Sequence, residues 1–147
     1  MAYAKNTDEL SLRKSWVSEM NTKTTGDKGE RFAARLYTKL GYTVTERNYH
    51  SRYGEIDVIA ENQSTICFVE VKTRNFNSVG TPAEAVDYRK QKKLTLTAMM
   101  FLSERDSNKQ PRFDVLELWQ QDGKITHYNL IENAFSAENF GGEYEIY

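Results

Sequence analysis

Asp57, Glu70 and Lys72 are the residues whose types and spacing could do chemistry. Glu70 and Lys72 flank Val71 at the end of the apolar run Ile66-Cys67-Phe68-Val69. Side chains alternate between the faces of a strand, so both charges are expected on the face that carries Ile66 and Phe68. Burying unpaired charge is costly even after relaxation, and a compensating group is required. Glu55 and Asp57 share a face of the preceding strand by the same alternation, and a short turn brings them beside the first pair. Two or three carboxylates and a lysine should therefore converge on one patch. Three readings compete: a purely structural ion pair of Lys72 with Glu70 or Asp57, a solvated sheet end, or a site for a hard cation. Carboxylate oxygens suit Mg²⁺, which needs few protein ligands, and a neighbouring lysine could orient or help deprotonate an attacking water.

The elements that must position these residues follow from pattern. Thr24-Thr25 offers an N-cap, and Phe32, Ala33, Leu36, Tyr37 and Leu40 then recur with helical period until Gly41 stops the helix. Glu30 lies in its first turn, at the border of the apolar stripe. Strands are expected over Tyr42 to Asn48, Glu55 to Ala60 and Thr65 to Lys72, the last apolar on both faces and so buried mid-sheet. Thr81-Pro82-Ala83-Glu84 has capping-box spacing and opens a helical region to about Leu102, broken near Asp87. A strand from Arg112 to Trp119, an Asp122-Gly123 hairpin turn and a strand from Lys124 to Leu130 complete the order α-β-β-β-α-β-β, an α/β domain with a mixed sheet flanked by helices. Residues 1–23 lack an apolar period and read as a mobile or loosely packed arm. Residues 24–130 form the domain, and 131–147 are left as a C-terminal tail without clear period.

Composition narrows the class. The 147 residues are 39% apolar and 28% charged, with nine Tyr and seven Phe, the balance of one folded domain. One cysteine, Cys67, makes neither an internal disulfide nor a zinc cage and reads as a small core residue. Met1 to Lys23 is polar and carries no secretory pattern. The longest apolar stretch, Ala98 to Leu102, falls far below the roughly 18 residues of a membrane span, so a cytoplasmic protein without a membrane partner is expected. A net charge of −1 and a pI near 6.2 give no whole-molecule attraction to nucleic acid; any phosphate contact must come from local basic groups and bound metal.

Asp57 followed by Glu70-Val71-Lys72 resembles the D…ExK signature of the PD-(D/E)xK, or restriction-endonuclease-like, superfamily. Gly29-Glu30 with Ala33, Gly41-Tyr42, Arg47-Asn48, Gly54-Glu55-Ile56-Asp57, Phe68 through Arg74, Glu84-Ala85-Val86 and Arg112-Phe113-Asp114-Val115 resemble the bacterial YraN-like family, a branch similar to archaeal Holliday-junction resolvases. The resemblance spans roughly Thr24 to Trp119. It implies Asp57 as the metal-bridging carboxylate, Glu70 as second ligand, the Val71 carbonyl facing the same ion, and Lys72 positioning the water. It also implies Glu30 as the extra acid near the metal. Ile56 stands where the superfamily's namesake proline would be, a departure that removes no ligand.

Glu55 is the nearest rival ligand, but the tight Gly54-Glu55 turn favours a rim role. Asp114, in an apolar strand, reads as structural hydrogen bonding more than site support. Lys90 should point inward, because the face it shares with Leu94 continues through Ala98 and Phe101; it could hold a phosphate or snorkel. Arg89, Lys90, Lys92 and Lys93 form a basic run that is either a solvated face or a phosphate contact, and Lys90, Lys93 and Arg74 are the expected nucleic-acid contacts.

The leading expectation is a Mg²⁺- or Mn²⁺-dependent nuclease acting on DNA, with branched DNA resting on the resemblance alone. The alternative is a non-catalytic module that keeps the fold and binds nucleic acid or a protein; a purely structural protein is the third class. A homodimer stays open.

Overall fold

The computed structural model describes residues 28–75 and 86–137. The arm expected over 1–23, the Thr24-Thr25 cap and the Thr81–Glu84 capping box lie outside the described residues, as does the tail beyond 137. Seven elements follow in the expected order: α1 (Lys28–Lys39), β1 (Thr43–Ser51), β2 (Gly54–Glu61), β3 (Thr65–Asn75), α2 (Tyr88–Ser103), β4 (Gln110–Gln121) and β5 (Lys124–Phe135). The architecture is α/β. One five-stranded mixed sheet runs β1-β2-β3-β4-β5, antiparallel except for the parallel pair β3–β4. A parallel pair needs a crossover between its strands, and α2 lies in that connection.

Local chemistry explains where the elements stop. Gly41 (φ +94) takes the left-handed position after α1; its amide bonds Thr38 O at 3.1 Å and the Tyr42 amide bonds Tyr37 O at 2.9 Å. This is the Schellman pattern, with the accompanying apolar contact made by the Tyr37 and Tyr42 rings, 5.4 Å apart. Asn62 Oδ1 accepts from the amides of Ser64 (3.0 Å) and Thr65 (2.8 Å) to close the β2–β3 turn. The break expected near Asp87 is the start of α2, where Asp87 Oδ1 accepts from the Lys90 amide at 2.8 Å. Asp122 (φ 51) and Gly123 (φ 74) both take positive φ, the requirement of a two-residue type I′ hairpin turn.

Among the described residues each face of the sheet carries one helix and one core. Phe32, Ala33, Leu36 and Tyr37 of α1 pack on Val58, Cys67, Val69, Leu116 and Leu118. Leu94, Ala98 and Phe101 of α2 pack on Ile56, Ile66, Phe68, Phe113 and Val115. β3 therefore is the doubly buried strand its pattern predicts. Burial pushes the Cys67 thiol up to about 12, as for an inert core cysteine. One expectation is corrected. β5 does not end at Leu130 but continues to Phe135, whose ring stacks on Phe113 at 4.7 Å, so the first residues assigned to the tail belong to the sheet. No helix among the described residues is long and apolar enough to cross a membrane.

Candidate active site

The site forms where two strands part. β2 pairs with β3 from Glu61↔Ile66 to Val58↔Val69, and Asp57 is the next residue of β2 beyond that ladder. β3 runs on to Asn75, paired instead with β4. Strict alternation would put Ile56 and Val58 on one face. They lie on opposite faces, Ile56 in the α2-side core and Val58 in the α1-side core. The strand therefore turns at Asp57, whose side chain is aimed into the gap between the strands. Its Oδ2 accepts from the Val71 amide at 2.7 Å, in place of a ladder bond. The N–H and C=O of one strand residue point to the same edge, so the Val71 carbonyl faces that gap as well.

Glu70 and Lys72 project toward α2, on the face of Ile66 and Phe68, as alternation requires. The Glu70 side chain is 5% exposed, and its nearest cation is Lys90 of α2, with Nζ 2.7 Å from Oε1; Lys72 Nζ is 3.7 Å from the same oxygen. Lys90 points inward as its helical position predicts, and it reaches Glu70. On the α1 side, Gly29, Glu30, Asp57, Val71 and Thr73 line a cavity of about 180 Å³. A Cβ on Gly29 would stand 3.0 Å from Thr73 Oγ1 and 3.2 Å from Val71 Cγ1, so only glycine lets α1 start this close to β3.

Electrostatics mark Asp57 as the strained member. Burial first, then the negative charge of Glu70, raises its pKa from 3.8 to about 7; Glu30 adds to the rise and the Val71 amide opposes it. At Lys90, burial opposes the charge, but the hydrogen bond and charge of Glu70 outweigh it and hold the ammonium protonated.

The expected single patch of two or three carboxylates is corrected in two ways. Glu55 turns away to His50, 3.3 Å distant, on the exposed hairpin. Asp57 sits at the seam of the sheet between Glu30 on the α1 side and Glu70 on the α2 side. Among the described residues no three Asp, Glu, His or Cys side chains stand close enough to cage a metal together. Asp57, Glu70 and the Val71 carbonyl nevertheless fit an ion that takes one or two carboxylates and keeps several waters: they are hard oxygen donors, and the acids repel each other until a cation joins them. Of the other expected contacts, Arg74 is held by Glu117 of β4, Nε to Oε2 3.4 Å, and Lys93 is exposed on α2. Sequence reasoning gave no role to Thr73, Gly29 or the Lys90–Glu70 pair. Gly29, directly before Glu30, was the one local signal of a close approach.

The model of "Uncharacterised protein family UPF0102" matches residues 29–118, from the cavity-lining Gly29 through nearly all of β4. The chain belongs to UPF0102. Several curated proteins the chain is similar to carry the name of UPF0102, the YraN-like family. UPF0102 protein TTE1452 of Caldanaerobacter subterraneus subsp. tengcongensis is 41% identical over 122 residues, covering 81% of this chain and 100% of the relative. UPF0102 protein STH1475 of Symbiobacterium thermophilum is 44% identical over 114 residues, covering 76% and 96%. A UPF0102 protein of Persephonella marina is 40% identical over 125 residues, covering 84% and 97%. The site residues Glu30, Asp57, Glu70, Val71, Lys72 and Lys90 all fall inside the UPF0102 match.

Proposed function

We propose that this UPF0102 member is a Mg²⁺- or Mn²⁺-dependent nuclease hydrolysing DNA phosphodiesters, with branched DNA as its favoured substrate. Its wider kin would be the restriction-endonuclease-like PD-(D/E)xK superfamily, in a branch similar to the archaeal Holliday-junction resolvases. The observation that carries the reading is the convergence of Asp57 and Glu70 at the strand divergence, where burial, and then the charge of Glu70, raises Asp57 to about 7. Crowded acids with raised proton affinity are costly to keep and are characteristic of working sites.

In this reading Asp57 and Glu70 hold the cation through their oxygens, with the Val71 carbonyl turned to the same gap. The ion, when bound, supplies Lewis acidity that lowers the pKa of a water and neutralises charge on the phosphate. Lys72, its ammonium a third exposed beside Glu70, orients that water in line with phosphorus. Glu30, which lines the same cavity as Asp57, would accept a hydrogen bond from that water. Lys90, which reaches Glu70 from α2, would contact the phosphate.

A non-catalytic module that binds nucleic acid or protein is the second reading. The Lys90–Glu70 contact at 2.7 Å favours it, because an ammonium already answers Glu70. Cleavage assays on single-stranded, duplex, flap and four-way DNA, with and without Mg²⁺, separate the two. Metal-dependent cutting that is strongest on the four-way substrate and absent in Asp57→Asn is expected. A wild-type protein that leaves every substrate intact in Mg²⁺ and Mn²⁺ would hand the site to the second reading.

A further inference from the structure

The tip of the β1–β2 hairpin is docked on α2 one turn beyond the residue that reaches Glu70. Ser51 Oγ accepts from the Tyr53 amide at 3.0 Å and shares a hydrogen bond with Thr97 Oγ1 at 3.3 Å; Thr97 Oγ1 in turn donates to Lys93 O at 2.8 Å. A Cβ on Gly54 would lie 3.6 Å from Thr97 Oγ1 and 3.7 Å from Lys93 Cβ, so the turn rests directly against the helix. Arg52 is laid over the Tyr53 ring, 4.9 Å from its centroid, and its Nη2 donates to Tyr53 Oη at 2.7 Å. The guanidinium is thus held in place with donors to spare.

This corner concentrates positive charge on a chain whose net charge is −1. Arg52, Arg89 and Lys93 are exposed, and among the described residues none has a carboxylate partner. Among the described residues, Glu55 is engaged with His50, Glu70 with Lys90 and Lys72, and Asp87 in capping the Lys90 amide. Lys90 and Lys93 are about 4.5 Å apart along the helix axis, a spacing between one and two nucleotide steps of about 3.4 Å axial rise. Lys90 stands at Glu70, and Lys93 lies one turn further along the helix, where the Gly54 turn of the hairpin rests against it.

We propose that the first two turns of α2 and the Arg52–Tyr53 hairpin tip form a track for the backbone of a DNA duplex, leading its scissile phosphate to Asp57 and Glu70. The proposal rests on the nuclease reading for its substrate class and names the residues that grip the flanking phosphates. Such contacts position the backbone without reading sequence. Their signature is the salt dependence of binding.

The experiment titrates a fluorescein-labelled DNA duplex with the full chain in EDTA across a range of NaCl concentrations. Arg52→Ala and Lys93→Ala are each expected to weaken binding and to reduce the log–log salt slope by about 0.9, the value for one phosphate contact, and the double variant by about twice that. Arg52→Lys should keep most of the slope, and Lys124→Ala, at the far hairpin, all of it. Melting curves confirm that the compared variants are folded. Unchanged slopes in folded Arg52→Ala and Lys93→Ala, or a wild type that does not bind the duplex, would overturn the track. Binding in EDTA does not depend on cleavage, so the two readings fail separately. A protein that binds along this line yet never cuts sinks the nuclease and keeps the track. One that cuts while these variants bind unchanged does the reverse.

Discussion

Two acids of this sheet, Asp114 buried and Asp57 half-buried, sit at similar register positions and have opposite fates. Asp114 on β4 lies across from a left-handed asparagine, Asn133 (φ 52), at a register shift of β5. Asp57 on β2 lies at the register position of another, Asn48 (φ 52), on β1. Asp114 is fully provided for. It accepts from Tyr37 Oη at 2.6 Å, from Arg112 Nε and Nη2 both at 2.8 Å, and from the Asn133 amide at 2.9 Å. Burial, and then the charge of Asp114, push the Tyr37 hydroxyl well above its usual pKa, which keeps it a donor. Asp57 receives one backbone amide and faces two other acids. The first acid is built for stability and the second against it, and the absence of compensation, rather than burial, is what separates a structural carboxylate from a candidate catalytic one.

The largest effect should come from breaking the satisfied acid. Arg112→Leu removes the bidentate cation and leaves the Asp114 charge in the core, a loss expected to cost about 3–5 kcal/mol in urea unfolding. A cost under about 1 kcal/mol would mean that Tyr37 and Asn133 suffice and the contrast is overdrawn.

Next is the cation on Glu70. Lys90→Met should destabilise the metal-free protein by about 1–2 kcal/mol, less than a fully buried pair because the ammonium is partly solvated. Lys72→Met, whose ammonium is 1 Å farther from Glu70 (3.7 against 2.7 Å), should cost less than about 1 kcal/mol. Comparing the two melting curves tests the order; an equal or larger loss at Lys72 would reassign the structural role. Under the nuclease reading, Mg²⁺ should recover most of the loss in Lys90→Met.

Asp57 should show the reverse sign. Its folded pKa, about 7, lies above the ordinary 3.8, so the native state binds more protons than the unfolded chain between those values. Stability therefore falls as pH rises from about 4 to 7. Asp57→Asn keeps an acceptor for the Val71 amide and removes that charge. In EDTA at pH 8 it should melt above wild type, by on the order of 1–2 kcal/mol, with the gap closing toward pH 4. A mutant that is less stable at pH 8 would show Asp57 to be as well compensated as Asp114.

The smallest effect concerns the thiol beside the satisfied acid. With Cys67 held up at about 12 by burial and by Asp114, a thiol reagent at pH 8 should label it only through unfolding. The labelling rate should rise in Arg112→Leu and stay near the wild-type rate in Asp57→Asn.

Much of this molecule was legible because the signals are local. Helical period in Phe32 to Tyr37, the Gly41 stop, the Asp122-Gly123 turn and the double-faced run from Ile66 to Val69 each depend on a few neighbouring residues, and each stands where the pattern put it, whereas Leu40, expected on the apolar stripe, lies past the helix end and is exposed. The types and alternation of Glu70 and Lys72 were equally readable. Three things were not, and each depends on parts of the chain remote from one another. Asp57 left the face that alternation assigned because β2 turns as its ladder to β3 ends. Phe135 extended β5 because Phe113, twenty-two residues earlier, offers a ring to stack on. Glu70 found its cation in Lys90, twenty residues later, because the crossover helix lies across the sheet there. Sequence determined which residues alternate and where elements end, since backbone sterics and hydrogen bonding act over one turn; only the tertiary structure decided which charges are answered, since that depends on what the opposing layer brings.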